Sequence, residues 1–351
     1  MTTSNHRSRR TAIRAAVAVV IAAGTTAALT STASAHAASD AVTVAPLVKG
    51  LYQSSYSERN DVLWTTVAVG RPPVVSSSLL KVDPDTLEVK QTITPPVTDA
   101  ATGALEAVYG VAVDDEHNTV WTTNTRNNTV AVYSQRTGKH LATLPNVNHA
   151  REIVVDERHN TVWASAFTDG TIVAFDSKTF EEKQRITVEG TGPTGLVVNE
   201  RTGTAYAADL NNDQVIEVTT RSATPRLIPA GDGAISIALS KNGKTAYTAN
   251  QTSGDVSVID LKKGLVTKSV ATGAGALSVA NDDRTGNIVV VNRTAATATV
   301  VDPKAGKVVR TVTTGTNPNH VEITRGTAYV VDKSGAGLNG ADQIHSFRVT
   351  R

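Results

Sequence analysis

The sequence predicts an all-β chain: a seven-bladed β-propeller of four-stranded antiparallel blades, closed by an N-terminal strand. Three observations predict it. A Trp, Tyr or Val marker recurs at Trp64, Trp121, Trp163, Tyr206, Tyr247, Val289 and Tyr329, at spacings of 57, 42, 43, 41, 42 and 40. Each unit holds four short β-like runs, and four strands per roughly 40–45 residues make a propeller blade. Helical 3.6-residue periodicity is absent from these runs, while Thr and Val, which favour pleated strands, dominate the chain.

The first forty residues stand apart. Arg7, Arg9, Arg10 and Arg14 form a positive segment, Ala15 to Leu29 is an apolar stretch, and Ala33-Ser34-Ala35 and Ala35-His36-Ala37 fit a small-x-small cleavage site. Residues 1–37 are therefore expected to be a signal peptide and 38–351 the propeller. The apolar run is short beside the roughly 20 residues of a membrane span. Export to the cell envelope or beyond is expected, with no stable membrane insertion after cleavage. Ser8-Arg9-Arg10 partly matches a twin-arginine signal, which leaves the Sec and Tat routes both open.

The blades follow in order. The one off-period spacing falls in the first blade, where Pro72-Pro73, Ser76-Ser77-Ser78 and Pro95-Pro96 predict longer loops. The fifth blade shows the pattern most plainly, with strands expected at Ile235 to Leu239, Thr245 to Ala249, Asp255 to Asp260 and Leu265 to Ala271. Asn242-Gly243 supplies the positive-φ residues of its first turn. Acid-rich clusters such as Asp114-Asp115-Glu116 and Asp156-Glu157 recur at that turn and read as solvated hairpins rather than metal loops. The seventh blade supplies only three strands of its own, so Ala41 to Val44 is expected to complete it and close the ring, which removes exposed edges.

Composition narrows the chemistry. There is no cysteine, which excludes disulfides, thiolate metal sites and a cysteine nucleophile. Net charge is +2 for the whole chain and −2 without the four arginines of the leader, so no whole-surface basic field for nucleic acid exists, although a local patch is left open. Neither a Gly-x-Ser-x-Gly elbow nor a His-Glu-x-x-His motif occurs.

Ala246-Tyr247-Thr248-Ala249-Asn250 followed by Val256-Ser257-Val258-Ile259-Asp260 resembles the YVTN β-propeller repeat. Trp121-Thr122-Thr123-Asn124 with Thr129 to Tyr133, and Val289 to Asn292 with Thr299 to Asp302, are further copies. The resemblance spans roughly residues 42–351 and places the chain near YncE-like and surface-layer-type propellers of the WD40/YVTN repeat-like kind. It implies fold far more than function, because the motif residues are structural.

A propeller ligand is expected at the face that carries the loops between strands two and three and between successive blades. Aligning the blades on the marker puts Gln53, Gly110, Glu152, Gly195, Ser236, Ser278 and His320 at one blade-start position, preceded by Tyr52, Tyr109, Arg151, Thr194, Ile235, Leu277 and Asn319. The unusual polar groups gather on blades two, three and seven. The candidate ligand-binding residues are Glu106, Tyr109, Arg126, His149, Arg151, Glu152, Asn319 and His320. An Arg/His pair can hold an anionic group. His149 and His320 with Glu152 or Glu106 carry the donor types of a divalent-metal site, but no spacing brings them together, and no metal or cofactor is assigned. The polar Asn and Asp of the two–three loops, including Asn124, Asp209, Asn250, Asn292 and Asp332, with Arg293 and Lys333 beside them, read first as turn chemistry.

These observations favour a secreted, monomeric binding or scaffold module for a protein, a cell-wall component or a small molecule. Two alternatives remain. The resemblance implies lactonase-like hydrolases or a lyase, with Glu152 or Glu106 as base and His149 or His320 as acid or metal ligand. It also implies single-stranded DNA binding, for which Tyr52, Tyr109, Arg126 and Arg151 provide stacking and charge.

Overall fold

The computed structural model describes residues 41–350; the expected signal peptide lies outside the described residues. Seven four-stranded antiparallel sheets follow one another around a ring. The fifth blade runs Ala234–Leu239, Thr245–Asn250, Asp255–Asp260 and Leu265–Ala271, within one residue of the sequence pattern. Blade one (Leu51–Ser57, Val62–Val69, Ser76–Val82, Val89–Ile93) is followed by an extra hairpin, Val97–Asp99 with Ala104–Leu105, which accounts for the off-period spacing.

The ring closes as expected, with a shift of two residues. Thr43–Pro46 pairs antiparallel with Gln343–Arg348, the third strand of blade seven, in the register Thr43 to Ser346 and Pro46 to Gln343. Val42 and Val44 stay largely exposed, so this strand contributes backbone pairing more than core. Asp342 reinforces the junction: its carboxylate accepts the Gly50 and Leu51 amides at 2.7 and 3.0 Å, and the Gly335 amide at 3.0 Å.

The marker residue has one physical meaning in every blade: it packs on the next. Trp64 lies against Val111, Val120 and Tyr133 of blade two, and Trp121 against Ile153, Val162 and Phe175 of blade three. Trp163, Tyr206, Tyr247 and Val289 repeat the contact around the ring. Tyr329 of blade seven meets Leu51, Leu63 and Leu80 of blade one and so completes it. All three tryptophans are fully buried. Six of the seven markers are aromatic, and burying one aromatic of this size removes about 150–250 Å² from water. The core is thus a ring of inter-blade layers, and small Ala and Val side chains fill the taper.

The acid-rich turns differ from the solvated hairpins the sequence predicts. Asp114 and Asp156 are fully buried and bond His117 and His159 through ring Nδ1 at 2.8 Å. Their neighbours brace adjacent blades: Ser57 Oγ donates to Asp115 at 2.5 Å, and the Asp115 amide to Glu157 at 2.7 Å. The turns of successive blades sit side by side, so a polar turn residue finds a partner there instead of solvent.

The Asn and Asp of the two–three loops are tied into the structure, Asp209 through a local turn amide and the asparagines mainly through side chains. Asn292 is fully buried and donates to Thr297 and Thr299 while accepting from Thr272. Asp209 accepts from the Gly192 and Asn211 amides.

Candidate functional site at the channel mouth

The first strand of each blade lines the central channel, and in six of the seven a register irregularity at its start sets the local chemistry; in blade two, Gly110–Asp114 pairs with Thr119–Asn124 without one. Pairing with strand two shifts between Leu51 and Ser54, Ala150 and Ile153, Pro193 and Leu196, Ala234 and Ser236, Ala276 and Ser278, and Pro318 and His320. A bulge breaks the strict alternation of faces. Two successive residues, not one, can therefore reach the lumen. All fourteen residues of the sequence alignment, Tyr52-Gln53 through Asn319-His320, line one cavity of about 340 Å³ at the mouth. The two–three loops add Thr125, Arg126, Leu210, Gln251 and Arg293. A second, wider cavity of about 1370 Å³ opens toward the one–two turns at the opposite end. Glu152, Ser236, Ser278 and His320 line both, and form the waist between them.

The two residues of each pair have different employment. The second acts as a clip to the next blade. Gln53 Oε1 accepts the Val111 amide at 3.3 Å, Ser236 Oγ the Val279 amide at 3.2 Å, and Ser278 Oγ the Val321 amide at 3.2 Å. His320 Nδ1 accepts the Ser54 amide at 3.3 Å, which carries the same clip across the closure. Gly110 and Gly195 occupy this position where the next blade approaches too closely for a side chain: a Cβ on Gly195 would stand 2.7 Å from Ser236 Cα. Glu152 is the exception, held by Gln53 Nε2 at 3.0 Å.

The first residue is freer to face a ligand in some of the pairs, although Thr194 is buried and donates to the Ala208 carbonyl at 3.0 Å. Tyr52 and Tyr109 meet edge to face at 4.5 Å between ring centres. The Arg151 guanidinium lies over Phe167 at 5.6 Å, and the His149 ring is 5.6 Å from the same side chain. His149 sits at φ 53°, a left-handed conformation that costs energy for a non-glycine residue. Asn319 bridges the Tyr52 carbonyl and the Arg293 guanidinium.

Electrostatics sharpen this division. Burial pushes the Glu152 carboxyl up to about 7 and the His320 ring down to about 4, so His320 is neutral at physiological pH, in keeping with its acceptor role. Two residues further down the strand, Glu322 is likewise raised to about 7 by burial and accepts the Tyr56 amide. Burial, then the Arg151 and Arg126 charges, lowers His149. Burial, then Arg293, lowers the Lys333 amine to about 7 where it rests on the Tyr52 ring.

Seven of the eight sequence candidates, Tyr109, Arg126, His149, Arg151, Glu152, Asn319 and His320, line the mouth cavity. Glu106 does not. It is buried in blade two, accepting from Asn124 at 3.2 Å and Thr143 at 2.9 Å, because it lies ahead of the first strand of that blade, Gly110–Asp114, and turns into the blade. No group of three or more His, Asp or Glu placed to hold a metal occurs among the described residues. Arg293 was missed as a site residue, and Glu322, which lines the wider cavity, was not singled out. Arg293 was hidden by its loop position; Glu322 could have been found from the period of two after His320.

The ring and its mouth cavity define a seven-bladed propeller scaffold. No protein-family model matches the chain. It is 25% identical over 216 residues to the protein YncE of Escherichia coli O157:H7, an alignment of 60% of this chain and 49% of the relative. The YncE of Escherichia coli strain K12 aligns over the same extent. The chain therefore spans about half the length of the curated relatives it matches. Its fold is similar to that of a chain of Kuenenia stuttgartiensis hydrazine synthase, with a TM-score of 0.71, 14% identity, and coverage of 91% of this chain and 99% of that one. The distant homology to YncE and the seven-bladed ring together support a YncE-like propeller family.

Proposed function

We propose that this chain is an exported binding propeller that takes a small ligand in the mouth cavity. One observation carries the reading: the bulged blade starts enclose a cavity whose walls are unequal, with Tyr52, Tyr109, His149, Arg151 and Asn319 on one set of blades and Ile235 and Leu277 on the other. A merely structural ring needs only the clip position, and Gln53, Ser236, Ser278 and His320 already fill it. At about 340 Å³ the cavity falls within the roughly 300–1,000 Å³ of small-molecule sites. The basic, apolar and small-residue pattern of residues 1–37 supports an extracytoplasmic location, and a cleaved product beginning near residue 38 in culture supernatant or envelope fractions is the corresponding check.

A ligand screen by thermal shift on wild type and on Leu277→Trp tests the site. Leu277 lines the cavity and is partly exposed, so the larger ring fills the mouth without touching a clip. Ligands that stabilise wild type should lose their effect in the variant; retention of every effect rejects the mouth as the site.

A catalytic reading has one observation in its favour. A Glu152 carboxyl near 7 on the cavity wall, beside Arg151, has the proton affinity a general acid or base needs. Hydrolysis of lactones that is lost in Glu152→Gln would favour it. The two tyrosines and the neighbouring arginines also meet the composition a single DNA strand requires, and a filter-binding titration over salt decides that alternative.

A further inference from the structure

The lining of the mouth cavity carries three guanidiniums, Arg126, Arg151 and Arg293, and a single carboxylate, Glu152. None of these arginines, nor Lys333 beside them, takes part in any of the ion pairs of the described residues. The surface elsewhere pairs its cations freely, as in Arg185–Glu182 and Lys183–Asp176. The one carboxylate acts on Arg151 but cannot balance three guanidiniums, and its oxygens already accept from Gln53 and from the Ile153 amide. Arg293 donates to Asn319 Oδ1, but its Nε is buried without a hydrogen-bond partner, which is costly for a charged group and leaves this guanidinium under-satisfied. The three charges converge, since each acts on the Tyr52 hydroxyl, and Arg151 feels Arg126 while Arg293 feels Arg151. They come from three different blades, so the ring fixes the backbone positions from which the like charges face one cavity.

Resting on the binding reading above, we infer that the mouth cavity is built for a compact ligand carrying two or more negative charges, a phosphorylated or polycarboxylated small molecule, gripped by Arg126, Arg151 and Arg293. Guanidinium forks match phosphate and carboxylate oxygens two at a time, which gives such sites both charge and geometry. Tyr52 and Tyr109 close the wall against any ring or carbon skeleton the ligand carries. The volume of about 340 Å³ suits a single small anion.

Calorimetric titration of the full chain with inorganic pyrophosphate and, separately, citrate tests the inference. At least one is expected to bind with one site per chain, more weakly as salt rises. Arg293→Gln and Arg126→Gln should each weaken binding tenfold or more, and Arg201→Gln, at the opposite end of the channel, should leave it unchanged. Arg126 is exposed, so its variant remains informative even if Arg293→Gln destabilises the fold. Binding of pyrophosphate alone assigns phosphate oxygens, and of citrate alone carboxylates; either supports the inference. Binding indifferent to both arginine variants overturns it. So does failure of both anions while uncharged ligands from the screen occupy the cavity, in which case the binding function itself survives. Silence of every ligand at the cavity overturns both. Preferential, salt-sensitive capture of a single-stranded oligonucleotide overturns the small-anion inference in favour of a strand.

Discussion

Removing the Asp342 carboxylate should loosen the closure of the ring more than any surface change can. The side chain is almost fully buried, and it holds three backbone amides, those of Gly50, Leu51 and Gly335, at 2.7, 3.0 and 3.0 Å. It also anchors the N-terminal strand through its own backbone, which accepts from Leu47 at 2.9 Å and donates to Val48 at 3.1 Å. Asp342→Ala leaves the backbone pair but strands three amides. A hydrogen bond to a charged group is worth about 1.5–3 kcal/mol, and each orphaned buried donor costs about 1–3. Shared relaxation keeps the total below the sum, at about 3–5 kcal/mol. A domain of this size shifts by about 2 °C per kcal/mol, so the melting temperature should fall by about 6–10 °C. Differential scanning calorimetry of the full chain reads it, with exposed Glu189→Ala as the control. Deleting Thr43–Pro46 in both backgrounds adds a second reading: because strand and carboxylate serve one junction, their losses should combine to less than their sum. A variant melting within about 1 °C of the control, or full additivity, would refute the closure role.

Other perturbations probe the blade-to-blade contacts and the waist. Gly195→Ala drives a Cβ against the backbone of blade five, which cannot yield, and should cost about 1–3 kcal/mol in urea unfolding; an unchanged midpoint would show the strands can separate there. Tyr329→Ala empties the closing interface against Leu51, Leu63 and Leu80 and leaves nothing to hold the Pro84 carbonyl, an expected loss of about 3–5 kcal/mol by the same assay. Glu152 and Glu322, raised from 4.5 to about 7, keep protons in the folded chain that the unfolded chain releases, so their term makes stability fall as pH rises from about 4.5 to 7. His320, lowered from 6.5 to about 4, refuses a proton that the unfolded chain accepts, so its term makes stability fall as pH drops from 6.5 to about 4. The two trends oppose one another where they overlap; Glu322→Gln should remove part of the first and raise the melting temperature at pH 8 relative to pH 5, and a profile parallel to wild type would deny Glu322 its raised proton affinity.

What was legible in the sequence follows from what a repeat is. A marker that packs on the next blade must recur once per blade, so Trp64, Trp121, Trp163 and their successors announce the number of blades and the order of the ring. The closing strand was readable because the seventh unit lacks a fourth strand, although its register was off by two residues, since a strand exposed on its outer face has no hydrophobic alternation to fix it. The site was half legible for a related reason. Counting from the marker found the right fourteen positions, because the marker and the blade start sit on paired strands one short turn apart, which keeps the count nearly constant from blade to blade. The count could not say which residue of each pair is committed. His320 and Gln53 look as reactive as Arg151 on paper, and only the amide of the neighbouring blade, brought up by the curvature of the ring, shows that their polar atoms are already engaged. Glu106 failed for the opposite reason: nothing in its chemistry distinguishes a carboxylate facing a ligand from one turned inward onto Asn124 and Thr143. Arg293 failed because its loop is rich in residues that cap turns, and a charge with no counter-ion is visible only when its surroundings are. The closure and the clips use up the polar groups that hold the ring together, and the cations left over at the mouth are the residue of that assignment. Their shortage of counter-ions is therefore a property of the ring, because the strands and loops that bring Arg126, Arg151 and Arg293 together from three blades place only one carboxylate, Glu152, on the same wall.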